Sequence, residues 1–194
     1  MNFFKKLLNL STNEKEEIKK QEVNLSLDDL FVHNFLEKGG KFLYCIQKEE
    51  VVANLEKVLK ENNWKEIHLL DHSLKSFFKS EDVHILEKHQ TETPIVTSCE
   101  HLIADNGDIL FSSRQLSSTK LTDYPDNFIV FAKTSQLVKD TGQGLTGIKV
   151  NSTGALPTNI SAIKRYNIDI SSDNFLNYGN SNSKNLYLLL LEDL

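Results

Sequence analysis

The sequence predicts an α/β protein built on an open, mostly parallel sheet flanked by helices. Two patterns carry that expectation. Strand-length apolar runs alternate with segments whose apolar residues recur at three- and four-residue steps, the signature of a parallel sheet with helices on its faces. The last run, Leu186 to Leu191, is apolar on both faces, as a central buried strand must be. At 194 residues and 22.1 kDa the chain makes one domain, or one domain with a tail, at about 150 residues per domain. That size buries roughly 70% of the unfolded surface, so neither disulfides nor a metal are needed to hold a core together.

The elements follow in order. Met1 to Leu10 sets Phe3, Phe4, Leu7, Leu8 and Leu10 beside two lysines, a short amphipathic helix suited to its own domain, a partner or a membrane surface. Ser11 to Asp28 is charge-rich and reads as a solvated lead-in, so residues 1–38 form an N-terminal helical and linker segment and 39–194 the α/β domain. After Gly39-Gly40, Lys41 to Ile46 reads as the first central strand. Val51, Val52, Leu55, Val58 and Leu59 then mark an amphipathic helix ending near Asn62-Asn63. Glu66 to Leu70 is the second strand, Ser73 to Ser80 a short helix and Val83 to Leu86 a third strand.

The second half continues the alternation. Pro94 to Ser98 reads as a strand, Cys99 to Ala104 as a short helical turn, Ile109 to Ser113 and Asn127 to Ala132 as strands, and Thr134 to Leu145 as a helix. Gly154 and Pro157 break the chain before Ile160 to Tyr166.

Charge and cysteine content exclude several functions. Twenty-two Lys and Arg against 27 Asp and Glu give net −5, the wrong sign for a protein that mainly neutralises phosphate backbones, so no nucleic-acid partner is expected. Cys45 and Cys99 are too few for a disulfide framework or an all-cysteine iron–sulfur cluster, which takes four thiolates. The six histidines fall in no zinc spacing, and no structural metal is expected. The N-terminus lacks a secretory pattern and no run approaches the ~20 residues that span a bilayer, which reads as cytoplasmic.

Two segments invite chemistry. Thr141 to Gly147 contains a literal G-x-G-x-x-G, but the preceding residues read as helix, so it is taken as a glycine-rich helix exit. Thr97 to Asp108 packs a hydroxyl, a thiol, an imidazole and three carboxylates between two strands, where α/β sheets place ligand loops. Asp105-Asn106-Gly107-Asp108 equally has the residues of a hairpin turn.

The run Val96-Thr97-Ser98-Cys99-Glu100-His101-Leu102-Ile103-Ala104-Asp105-Asn106-Gly107-Asp108-Ile109-Leu110, then Arg114, Tyr124 to Val130, Gly179 and the closing Leu186 to Leu191 strand, resembles the lactate-utilisation (LUD) domain family, stand-alone protein C type. The likeness covers roughly residues 40–194. Thr97, Ala104, Asp105 and Gly107 occupy family positions, while Asn106 and Asp108 replace threonines. The family's Gly-Pro-Ser-x-Thr-Ala-Asp stretch is unrecognisable around Arg165 to Ser172. Its Gly-x-His-Gly-Pro turn is Gly179-Asn180-Ser181-Asn182-Ser183 here, with Gly179 and Lys184 in register.

The resemblance implies a fold like ribose-phosphate isomerases and coenzyme A transferases. It also implies an accessory role in L-lactate oxidation, with iron–sulfur clusters carried by partner oxidoreductase subunits and no cofactor on this chain. Glu100 and Asp105 are candidate catalytic groups; Thr97, Asn106, Gly107, Asp108, Arg114, Gly179 and Lys184 are candidate ligand residues. Arg114 has the planar fork that matches a small carboxylate. An enzyme acting on sugar phosphates or acyl thioesters, with Glu100 or Asp105 as base, and a non-catalytic interaction module are the alternatives.

Overall fold

A computed structural model describes residues 25–78, 83–166 and 183–194. Helix α1 (Leu27–Glu37) is opened by Ser26, whose hydroxyl accepts from the Asp29 N–H, with Asp28 and Asp29 in the positively polarised first turn. It drives Phe31, Val32 and Phe35 into the core. Strand β1 (Lys41–Cys45) leads into helix α2 (Lys48–Glu61), which buries Val51, Leu55, Val58 and Leu59 on one stripe. Then come β2 (Glu66–Leu69), a 3₁₀ turn (His72–Phe77), β3 (His84–Leu86) and β4 (Ile95–Ser98).

The remaining elements are β5 (His101–Ile103), β6 (Asp108–Phe111), α3 (Ser113–Leu116), β7 (Asn127–Lys133), β8 (Leu137–Val138), α4 (Thr141–Val150), β9 (Ser161–Ile163) and β10 (Asn185–Leu191).

Six strands form an open sheet in the order β1-β10-β7-β4-β2-β3, every pair parallel. The alternation read from the sequence therefore gives the architecture it predicts. A second sheet, β8-β5-β6-β9, is mostly antiparallel. Side-chain alternation sorts the main sheet into two faces. Ile67, Leu69, Val96, Ile129 and Leu189 pack with α2. Ile95, Phe128, Val130, Leu186, Leu188 and Leu190 pack with α1 and with Leu102, Ile109 and Phe111 of the small sheet. The outer face of that small sheet, Ile103 and Leu110, closes against Ile148 of α4.

Three sequence expectations are corrected. Lys41 to Cys45 lies at the edge of the sheet, not its centre, because β10 inserts between β1 and β7 and takes the doubly paired position. Chain order does not fix lateral order, and the leucine-rich β10, buried from Leu188 to Leu191, gains more from burial on both faces than β1, which starts at exposed Lys41.

Cys99 to Ala104 is not a helical turn: His101–Ile103 is strand β5, held by antiparallel pairing to β6 and parallel pairing to β8. A three-residue apolar run carries no period of its own, and its partners decide. Thr134 to Leu145 is not one helix. Gln136 turns inward, its side-chain amide donating to Cys99 O at 2.6 Å, so the chain makes a 3₁₀ turn (Thr134–Gln136), then β8, and restarts as α4.

The glycine-rich motif thus opens a helix rather than leaving one. The Asp140 carboxylate caps α4 by accepting from the Gln143 N–H at 2.9 Å, so an acid of the chain itself occupies the anion-favouring end. At Gly144 a Cβ would meet Ile103 at 3.2 Å and Leu110 at 3.3 Å, so the missing side chain lets α4 approach the small sheet closely.

Candidate functional site

The carboxyl ends of parallel strands are where open α/β sheets take ligands. Beyond the end of β4, the Glu100 N–H donates to Leu110 O at 2.8 Å, which fixes where its side chain starts. Ser112 caps α3 in a reciprocal capping box with Gln115. Its hydroxyl also donates to one Glu100 carboxylate oxygen. Arg114, in the first turn of α3, donates from Nη1 to the other oxygen at 3.2 Å and from Nη2 to the Ser152 hydroxyl, just past α4, at 2.6 Å. Glu100 is nearly covered, its side chain 9% exposed, while Arg114 remains 40% exposed. A cation is held open to solvent by a buried anion.

Further polar groups collect at the same end of the sheet. Asp71, just past β2, accepts from the Ser73 N–H and hydroxyl and from Ser98 at the end of β4. Burial pushes its carboxyl up, but these hydrogen bonds outweigh it and hold the pKa below the usual 3.8. Past β10, Asp193 accepts from Thr134 and Ser135 and lies 3.7 Å from Lys133. Neither Asp71 nor Asp193 was among the candidates read from sequence. The usable signal at Asp71 is an acid two residues before Ser73, directly after a strand, which is a helix-cap pattern.

Asp105 to Asp108 joins β5 to β6 as a hairpin turn, with Gly107 at φ +67°. The turn is clamped from two sides. Asn34 of α1 donates to Ala104 O at 2.8 Å, and Lys38 pairs with Asp108 at 2.8 Å. The Tyr166 hydroxyl donates to Gly107 O. Burial, reinforced by the Asp108 carboxylate, keeps that phenol protonated well above its usual range. Asp105 is exposed, Asn106 half-buried, and Gly107 and Asp108 buried.

The other predicted residues lie apart. Thr97 is fully buried in β4, its hydroxyl donating to Ser98 O. Lys184 is buried at the amino-terminal start of β10, donating to Tyr124 O at 2.7 Å with the Asp126 carboxylate 3.6 Å away. Burial lowers its pKa, and Asp126 offsets part of the shift. Gly179 and the amphipathic Met1 to Leu10 fall outside the described residues. Cys45 and Cys99 are free, buried thiols, both pushed up by burial. Among the described residues no group of three His, Cys, Asp or Glu side chains is placed to hold a metal ion, and no helix is long and apolar enough to cross a membrane.

An open parallel sheet flanked by helices, with a hairpin and a polar node at its strand ends, places the chain in the α/β class. Within it, the chain belongs to the LUD domain family, whose pattern matches residues 29–191. A DUF162 family protein from Deinococcus radiodurans has a similar structure, with a TM-score of 0.60 at 13% identity over 87% of this chain and 99% of that one. At that identity the likeness speaks for the fold. No match was found among curated proteins.

Proposed function

We propose that this LUD-domain chain serves lactate utilisation as an accessory subunit beside an iron–sulfur oxidoreductase, taking a small carboxylate at Arg114. The observation that carries the reading is the placement of Arg114: a part-exposed guanidinium at the ligand end of the sheet, aimed by Glu100 and Ser152. A planar guanidinium offers paired N–H donors that match a carboxylate. A lactate or pyruvate carboxylate there shares the cation with Glu100, so binding is weak unless a partner covers the site and lowers the local dielectric. Electrons removed from lactate pass, in this reading, to clusters on the partner. Asp105 lies exposed on the clamped turn, and this reading gives it no role.

The test is calorimetric titration of L-lactate and pyruvate into the protein with its co-purified partners, together with growth of the native host on lactate. Arg114→Ala should abolish the binding heat and slow growth on lactate. Unchanged binding and growth in that variant reject the proposal. A thermal shift with sugar phosphates or acyl thioesters, but not with lactate, favours small-molecule enzymology instead.

A further inference from the structure

A trough runs along the opposite, amino-terminal ends of the strands. One groove of about 680 Å³ passes Trp64, Glu66, His84 and Glu92 at the starts of β2, β3 and β4. A second of about 430 Å³ passes His89, Asp123 and Asp126 ahead of β7. The two share Gln90 and Thr91 and are therefore continuous. We propose that this trough docks an extended, basic segment of a partner protein.

Shape argues for a chain rather than a small molecule. Both grooves are shallow and open, whereas small-molecule sites enclose most of the ligand surface. Charge selects the sign. Glu66, Glu92, Asp123 and Asp126 line the trough against exposed Lys65 and the buried Lys184 ammonium 3.6 Å from Asp126, which leaves the lining net negative and disfavours lactate, phosphates and acidic peptides.

His89 stands against His68 and Tyr124, with ring centres 5.6 and 5.2 Å away, and burial, followed by neighbouring His68, lowers its imidazole pKa, which disfavours added positive charge there. The Trp64 ring, set edge-on to Tyr187, supplies an aromatic face for a lysine or arginine. Finally, β3 ends the sheet: among the described residues it pairs only with β2, which leaves its outer row of backbone groups for an incoming strand beginning at His84. This surface is remote from Arg114, so the inference stands whether or not that residue takes a carboxylate.

Trp64 is the single tryptophan of the chain and reports on the trough directly. The full chain is titrated with a synthetic decapeptide of alternating lysine and threonine while its emission is followed. The expected result is a saturable change, with affinity about tenfold weaker in Glu66→Gln/Glu92→Gln, the effect of two lost exposed ion pairs. Affinity should be unchanged in Glu49→Gln/Glu56→Gln on α2. No saturable change, equal binding of the glutamate-for-lysine peptide, equal weakening by the α2 substitutions, or a response to neutral oligosaccharide instead would each overturn the proposal.

Discussion

The candidate residues between Thr97 and Arg114 lie close together in the sequence, yet the fold divides them into two regions with opposite exposure. At one end of the β5–β6 hairpin, Gly107 and Asp108 are sealed beneath α1 and Tyr166, and Asn34, Lys38 and Tyr166 tie the hairpin to the body. At the other end, Glu100 and Ser112 are also satisfied internally, but they hold Arg114 outward. The same chemistry, carboxylates beside hydroxyls and a cation, acts as a clamp when desolvated and as a presented group when half-open. The cost of leaving a buried partner unsatisfied, absent at the surface, makes the difference.

The strongest way to break that distinction is Gly107→Ala. The position has φ +67°, and a Cβ would lie 2.6 Å from the Phe35 backbone nitrogen. Backbone strain and forced displacement of α1 should together cost about 3 kcal/mol, read as a lower urea midpoint. At neighbouring exposed Asp105, alanine should change stability by less than about 0.5 kcal/mol. If the two substitutions prove equal, the clamp is not where the geometry puts it.

A smaller effect is expected at Tyr166→Phe, which removes the donor to Gly107 O without opening a cavity. It should cost about 1 kcal/mol, measured by the same unfolding curve. Arg114→Ala should cost about 1 kcal/mol, since it strips one donor from nearly covered Glu100 but leaves the Ser112 hydroxyl in place, while removing carboxylate binding. That split between stability and binding sharpens the contrast with the hairpin end.

Two pH dependences give the smallest signals. Asp71 has its folded pKa below the unfolded 3.8, so its hydrogen bonds contribute stability above 3.8 that is lost as pH falls through the folded value. Ser98→Ala removes one donor. The variant should be less stable than the parent at neutral pH, with the difference closing below the folded pKa in acid unfolding series. Lys184 has the same sign of linkage in an alkaline window. Its folded pKa is depressed below 10.5, so the folded protein releases the proton first and stability rises with pH through the window just under 10.5. Lys184→Met should flatten that rise in alkaline unfolding titrations.

Much of the fold was legible from particular residues. The Val51, Leu55, Val58 and Leu59 stripe needed nothing beyond its own period to declare α2, and Leu186 to Leu191 announced a doubly buried strand. Less of the site was. Arg114 and Glu100 were readable as chemical types, but that they meet at 3.2 Å, with Ser152 completing the contact from 38 residues away, depends on α3 and α4 converging. Asp71 finds Ser98 only because β2 and β4 are neighbours in the sheet, which sequence separation does not reveal.

The sequence by itself determined the alternation of strand and helix, the faces each long element would bury, and the turn chemistry at Gly107. These depend on local period and backbone sterics, which neighbours in the chain specify. Tertiary structure alone decided that β1 lies at an edge, that Leu102 and Ile103 extend as a strand, and which polar residues are sealed and which are offered to solvent. Those outcomes depend on distant surfaces competing for the same partners, and the free energy of burying a group is set by what covers it rather than by what it is.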